Sequence, residues 1–388
     1  MTSSNFLRSL TELSIPYGRQ SVNEDDIAAV VETLRGDWLT MGPHVAAFEE
    51  AIAARVGTPD SVAVSSGTAA LHAAYAATAV GQGDEVITSP MTFVATASTA
   101  ILQGATVLFA DIQADTGNID PAAVSALVSD KTRVVAAVDY AGHPADLDEL
   151  NTIAHEMGAL LLEDAAHSIA SLYRGRTVGS IADITTFSFF PTKNLTTAEG
   201  GAIVSTSEAL LDRARKFRMH GLVRDTAQQR YPDEGPWHQE VHEFGLNYRL
   251  PDVLSALGTS QLGRLSEFKA QRSLIFARYV EGLDDLEGIT LPAQRAYVDP
   301  MWHLFPIRVK DGQRRRVFDY LRSNDVLVQV NYIPAYWHPV FEDLGYRRGM
   351  CPVAEAYYSE EISLPMYSAL SESDQDRVIE TVRAALAE

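Results

Sequence analysis

Ala159-Leu-Leu-Leu-Glu-Asp-Ala-Ala-His167 is the stretch on which the fold turns. Ala159 to Leu162 is a continuous apolar run, which predicts a strand covered on both faces. That strand delivers Glu163 and Asp164 at its carboxyl end. Working outward, Val134 to Val138 predicts the preceding strand and Leu147 to Met157 the helix between them. Further back, Thr106 to Ala110, Glu85 to Thr88 and Val62 to Ser65 predict strands. They alternate with helices at Pro121 to Val128 (capped by Asp120), Phe93 to Leu102 and Ala69 to Ala77. Downstream, Ile184 to Phe190 and Gly201 to Ser205 are further β-rich runs. Strand–helix alternation over such a length implies an α/β fold with a mainly parallel sheet sandwiched by helices.

After about Gly221 the rhythm changes. Residues 222–245 are polar and carry Pro232, Gly235, Pro236 and Trp237, as in a long functional loop. Pro251 to Tyr279 predicts helix. Strands at Phe305 to Val309 and Val326 to Val330, mixed with helices, predict a smaller C-terminal α+β domain. The expected division is an N-terminal segment (1–30), a large domain (31–250), and a connecting helix with the small domain (251–388).

The 388 residues are 46% hydrophobic and 21% charged, which excludes a disordered or fibrous chain. The net charge of −20 argues against nucleic acid and anionic membrane surfaces as partners. A lone cysteine, Cys351, excludes an intrachain disulfide framework and a cysteine-rich metal site, and fits a reducing compartment. Met1 to Ser14 lacks the apolar core of a signal peptide, so a cytoplasmic protein is expected. The uncharged stretch between Glu85 and Asp111 is broken by Pro90 and Gly104 and studded with Thr and Ser, unlike a membrane span. No Walker A pattern, His-Glu-x-x-His, Gly-x-Ser-x-Gly or histidine metal spacing occurs.

The basic residues are more informative. Only five of 31 are lysines, which leaves few candidates for a Schiff-base amine. Lys131, Lys216, Lys269 and Lys310 all lie in polar or charged segments. Lys193 alone follows an aromatic strand, Thr186-Phe-Ser-Phe-Phe-Pro-Thr-Lys193, and precedes the small-residue run Thr196 to Gly201. An amine held near an apolar strand end loses its proton more easily; a snorkelling surface lysine is the ordinary alternative. Asp164 sits where ligands bind in a parallel sheet, beyond the carboxyl ends of the strands. A carboxylate there can pair with a pyridine nitrogen or simply cap a helix. Ser65-Ser-Gly-Thr68, between strand and helix, offers amides and hydroxyls to an anion. Together these are the parts of a pyridoxal phosphate site.

In these motifs, and in Ser188-Phe-Phe-Pro-Thr-Lys-Asn194, Glu199-Gly-Gly201 and Gly245-Leu-Asn-Tyr-Arg249, the chain resembles the DegT/DnrJ/EryC1/StrS sugar aminotransferases from roughly Ile15 onward. Many members carry His where this chain has Phe190. Val138-Asp-Tyr-Ala-Gly142, Val328 to Pro334 and Ile362 to Pro365 resemble the branch that aminates C4 of a UDP-4-keto-6-deoxy sugar toward pseudaminic acid. The resemblance implies a type I pyridoxal phosphate fold with a seven-stranded sheet. It implies that Lys193 attaches the cofactor and shuttles the proton, and that Asp164 pairs with the ring nitrogen. Gly67, Thr68 and Ser188 would hold the phosphate, Phe93 would stack on the ring and His167 would lie beside it. Phe93 and His167 could equally be ordinary core residues. The resemblance further implies a homodimer in which Asn247 reaches the partner's phosphate. Substrate contacts would come from Tyr17, from Asp37, Trp38, Leu39 and Thr40, and from Gln329, Val330, Asn331 and Tyr332, for which loop packing is the plain alternative.

The implied activity moves an amino group from L-glutamate to a nucleotide-linked keto sugar. A C3 or dTDP-linked substrate is the near alternative. A sugar dehydratase of the same family would lack the lysine, commonly having His there. A non-catalytic regulator that senses the cofactor would need a DNA-binding module or basic patch, and neither is present.

Overall fold

A computed structural model describes residues 14–387. The expectation for Met1 to Ser14 and the first part of the 1–30 segment therefore lie almost wholly outside the described residues.

Seven strands form the central sheet: β1 (Asp60–Val64), β2 (Glu85–Thr88), β3 (Thr106–Phe109), β4 (Thr132–Val138), β5 (Leu160–Asp164), β6 (Ile184–Ser188) and β7 (Gly201–Ser205). Their order is β1-β7-β6-β5-β4-β2-β3. All pairs are parallel except those of β7, which runs antiparallel to both β1 and β6. The expected mainly parallel, seven-stranded sheet is thus present.

Alternation along the strands explains why they are apolar throughout. On β4, Val134 and Ala136 join the cluster under the helix Gly67–Ala77, whereas Val135 and Ala137 join the cluster under the helix Leu147–Glu156. Leu162 and Leu161 of β5 divide in the same way. Each strand therefore buries both faces, and a polar residue in mid-strand would be stranded without water. The helix Gly67–Ala77 is rich in alanine, and Ala69, Ala70, Ala73, Ala74 and Ala77 are all buried.

Beyond residue 250, helices Asp252–Gly263 and Leu265–Leu283 lead to an antiparallel three-stranded sheet, β8 (Ile289–Thr290), β9 (Phe305–Val309) and β10 (Glu361–Leu364). The buried Arg272 donates to the carbonyls of Trp302, His303 and Met366. The strand expected at Val326 to Val330 does not form; only isolated bridges occur, Ile15 to Val326 and Gln329 to Ser363. Within the run the backbone turns on itself, Val328 N donating to Val326 O at 3.1 Å, so no continuous ladder forms; the Asn331 amide that follows donates to the Glu361 side chain at 2.7 Å. The 222–245 loop contains a small hairpin, Leu222–Val223 with Glu240–Val241. Glu240 ties it by accepting from the Arg230 and Tyr231 amides. Among the described residues, no helix is long and apolar enough to cross a membrane.

Candidate active site

The carboxyl ends of β4, β5 and β6 open into a cavity of about 420 Å³, lined by Val138, Asp164 and Ser188 from those ends. This is where a parallel sheet leaves room for a ligand.

The wall at β1 is the start of the helix Gly67–Ala77. Ser66 caps it, its hydroxyl accepting from the Ala69 amide at 3.0 Å. The amides of the first turn are therefore aimed at the cavity, where the helix dipole favours an anion. Gly67 is required by closeness: a Cβ there would sit 2.7 Å from Ser188 Cβ and 2.8 Å from its Oγ. Gly67, Thr68 and Ser188 thus form one cradle, although they lie on elements far apart in sequence.

Asp164 ends β5 and is 5% exposed. Its Oδ2 accepts from Thr96 Oγ1 at 2.6 Å and its Oδ1 from the Ala166 amide at 3.2 Å. Burial pushes its carboxyl up, and the bonds from Thr96 and Ala166, with the Lys193 charge, pull it back.

Lys193 lies on the loop between β6 and β7. The loop folds back on itself: Lys193 N donates to Phe190 O at 2.9 Å and Thr197 N to Phe189 O at 3.0 Å. Asn194 then pins it, donating to His167 O at 2.6 Å and Met301 O at 3.1 Å. Burial lowers the Lys193 amine to about 8, against the opposing pull of Asp164. An amine so placed is unprotonated often enough near neutral pH to act as a nucleophile and to accept a proton.

His167 Nε2 lies 3.1 Å from Tyr332 Oη. His167 also packs on His303, with ring centroids 4.4 Å apart. Burial holds both imidazoles well below their usual range, and the Lys193 charge adds to this. Asn331 is clamped: its side chain donates to Tyr17 Oη at 2.8 Å and its carbonyl accepts from Tyr140 Oη at 2.5 Å. Phe93, 59% exposed, stands at the mouth with its ring 6.4 Å from that of Tyr332.

Of the residues singled out in the sequence, the fold brings together Tyr17, Gly67, Thr68, Phe93, Asp164, His167, Ser188, Lys193, Asn331 and Tyr332 around this cavity. Asp37, Trp38, Leu39, Thr40, Asn247, Gln329 and Val330 do not line it. Asp37 to Thr40 and Asn247 are exposed. The first of these segments docks on the start of the helix Asp252–Gly263, where Asp252 N donates to Leu39 O at 3.0 Å. Gln329 and Val330 precede the clamped Asn331 and flank the β10 edge through Ser363. Sequence reasoning missed Thr96 and His303, and it quoted Tyr140 within Val138-Asp-Tyr-Ala-Gly142 without giving it a role. Nothing in the local patterns of Thr96 and His303 marks them, because each meets the site through a contact across the fold.

These residues fit pyridoxal 5′-phosphate: the Gly67–Ser188 cradle suits its phosphate, the buried Asp164 its ring nitrogen, and the Lys193 amine its aldehyde. When bound, that cofactor supplies an electron sink. With it bound, Asp164 would keep the proton on the ring nitrogen, and Lys193 would take and return the proton at the reacting carbon.

Comparisons with known proteins give the family. The model of the DegT/DnrJ/EryC1/StrS aminotransferase family matches residues 20–383. The spore coat polysaccharide biosynthesis protein SpsC of Bacillus subtilis is 39% identical over 95% of this chain and 96% of its own. The UDP-4-amino-4,6-dideoxy-N-acetyl-beta-L-altrosamine transaminase of Campylobacter jejuni is 34% identical over 96% of this chain and 97% of its own. Spr1654 of Streptococcus pneumoniae, described as a sugar aminotransferase, has been solved in apo, PLP and PMP forms. Its apo form superposes with a TM-score of 0.91 at 30% identity, covering 96% of this chain and 98% of that one. Fold, cavity and relatives converge, and this chain belongs to the DegT/DnrJ/EryC1/StrS aminotransferase family, as a pyridoxal-phosphate-dependent nucleotide-sugar aminotransferase of the type I fold.

Proposed function

We propose that this enzyme moves an amino group from L-glutamate to C4 of a UDP-linked 4-keto-6-deoxy-N-acetylhexosamine, in a pathway of the pseudaminic acid type. The observation that carries the transfer chemistry is the Lys193 amine, lowered to about 8, in one cavity with Asp164. UDP linkage and C4 chemistry are supported by the 34% identical Campylobacter transaminase, whose name specifies a UDP-linked 4-amino sugar. The second outcome is another nucleotide-linked keto sugar, with C3 or dTDP chemistry; the 39% identical SpsC is named only for spore coat polysaccharide biosynthesis.

In this proposal residues 31–250 hold the cofactor and residues 251–388 cover it. Gly67, Thr68 and Ser188 bind the phosphate, Phe93 and His167 flank the ring, and Tyr17, Asn331 and Tyr332 face the sugar. Asp37 to Thr40, Gln329 and Val330 contact the substrate, and Asn247 reaches the phosphate of the neighbouring subunit in a homodimer. The enzyme works in the cytoplasm, as its single cysteine suits. Remote binding energy from the nucleotide helps position the reacting carbon.

Incubation with L-glutamate and a panel of keto sugar nucleotides, followed by NMR of the products, tests this. Amination at C4 of the UDP-linked substrate is expected. A strong preference for a dTDP-linked 3-keto sugar would overturn the substrate and leave the chemistry at Lys193 intact. Failure to exchange glutamate with oxoglutarate would overturn the proposed amino donor.

A further inference from the structure

Behind Asp164 the sheet buries two more carboxyl groups. Glu163 precedes it on β5, and Asp139 follows directly after β4; both are 0% exposed. The register pairs Ala137 with Glu163 and Val138 with Asp164. Side chains alternate along a strand, so Glu163 points to the sheet face opposite Asp164. Asp139 lies two residues beyond the register partner of Glu163, and its amide donates to Asp164 O at 3.1 Å.

The partners of both groups can be followed atom by atom. Asp139 Oδ1 accepts from the Ala145 amide at 2.9 Å, and Oδ2 from Ser168 Oγ at 2.5 Å. Glu163 Oε2 accepts from the Gly179 amide at 3.0 Å and from Thr185 Oγ1 at 2.8 Å. Glu163 Oε1 is buried with no donor, yet the Asp139 carboxyl is within hydrogen-bonding reach of Glu163. Neither group forms an ion pair among the described residues. The other charged group facing them is Asp164, also negative. Two carboxylates in contact, out of water and without a cation, do not both stay ionised. One proton between them supplies the donor that Oε1 lacks.

We propose that Asp139 and Glu163 share one proton and carry one net negative charge behind Asp164, as positioning residues that raise the proton affinity of groups bound in the cavity. The inference rests on the cofactor assignment and is independent of which sugar is used. Burial raises both carboxyls, and the like charge of Glu163 adds to the rise at Asp139, so the pair holds a proton at neutral pH. Asp164 adds to the rise at Glu163 through its like charge. Coulombic coupling is mutual, so the pair's charge also acts on Asp164 and on any basic nitrogen paired with it. Asp139 also fixes Ser168, the residue after His167, and so holds the turn that follows Asp164.

Amide replacements separate charge from packing. In Asp139→Asn the new amide donates to the Glu163 carboxylate, and in Glu163→Gln it donates to the Asp139 carboxylate. Either single variant keeps one negative charge without a proton, and the double variant Asp139→Asn/Glu163→Gln has none. Glu361, buried and raised to about 8, also holds a proton at pH 7, so the infrared readout is the difference between wild-type and variant apoproteins. At pH 7 wild type minus either single variant should show one buried protonated carboxyl band, shifted in D2O. A difference spectrum without that band for Asp139→Asn or for Glu163→Gln would overturn the shared proton. Spectrophotometric pH titration of the holoenzyme should give the same midpoint for wild type and single variants. In the double variant the midpoint should fall, by on the order of half to one pH unit. A purely structural role would change the thermal midpoint and leave the absorbance midpoint in place. A double variant that titrates with the wild type, or single variants that shift as far as the double, would overturn the role of the charge. A double variant too unstable to titrate leaves the infrared result on the single variants to decide.

Discussion

Thr96 Oγ1 donates to Asp164 Oδ2 at 2.6 Å, joining the helix Ala95–Leu102 to the end of β5. The same hydroxyl lies 2.7 Å from Thr92 Oγ1, so it is itself oriented. A buried carboxylate needs such donors, because burial alone would push it toward the neutral form. The neutral acid would no longer hold a proton on the ring nitrogen as a counter-ion. Thr96→Val keeps the shape and removes the donor. A hydrogen bond to a charged group is worth about 1.5–3 kcal/mol, so cofactor affinity should fall on the order of tenfold or more. Thr96→Ser should restore most of it. Equilibrium dialysis of the three proteins against the cofactor checks this; equal affinities would show that Asp164 is held by other means.

Gly67→Ala tests the phosphate cradle. The added methyl would sit 2.7 Å from Ser188 Cβ, a separation that forces the helix start and β6 apart. The cradle then widens where the phosphate needs close amides. Cofactor binding should weaken by roughly tenfold or more, with the thermal midpoint of the apoprotein changed far less. Retained affinity in Gly67→Ala would place the phosphate elsewhere.

The pH dependence of apoprotein stability follows from Lys193. Its amine falls from 10.5 to about 8 on folding. Below pH 8 both folded and unfolded states carry the proton, and the folded state bears the full cost. Between about pH 8 and 10.5 the folded amine is neutral while the unfolded one is still charged, so stability rises with pH in that window. The side chain is only partly buried and faces an open cavity, which screens the charge. A cost of about 1–2 kcal/mol at neutral pH is therefore appropriate. Lys193→Met apoprotein should be more stable than wild type by about that much at pH 7, and the gap should shrink as pH rises toward 10.5. Denaturant melts across that range check the sign; a gap independent of pH would mean the amine is not destabilised. The same variant should lose turnover by orders of magnitude.

How much of this was legible depends on the range of each interaction. Lys193 and Asp164 could be found because their setting is local: an aromatic strand before one, an apolar strand ending at the other. Gly67 and Thr68 belong to a turn whose composition marks it, whereas Ser188, the last residue of β6, is marked only by the family motif it shares with Lys193. Thr96 and His303 gave no such signal, since each acts through a partner brought close only by the fold; Thr96 and Asp164 are 68 residues apart. Val326 to Val330 has the apolar, β-branched composition of a strand, yet Val328 N turns back to Val326 O and the ladder does not form. A local turn of that kind leaves no trace in periodicity. Asp37 to Thr40 and Asn247 lie off the cavity with exposed side chains, held by backbone contacts to Pro251, Asp252 and Met219.

That last feature supports the shared-site dimer, and subunit mixing tests it. Phe244 is 97% exposed and Trp237 80% exposed on the loop before Asn247, and Trp38 is 58% exposed. Large apolar side chains gathered on one segment favour contact with another protein surface. A two-fold interface would bring two copies of that surface together and place each Asn247 at the partner's cavity. Asn247→Ala alone should weaken the enzyme, and Lys193→Ala alone should abolish turnover. In a mixed dimer of the two variants, one site combines an intact lysine with the partner's intact asparagine, and the other carries both lesions. Activity should therefore rise toward one working site per mixed dimer, above either variant alone. Subunit exchange is verified separately by native mass spectrometry of differently tagged chains. If exchange occurs without recovery, or if the active enzyme sediments as a monomer at assay concentration, Asn247 does not serve the neighbouring site.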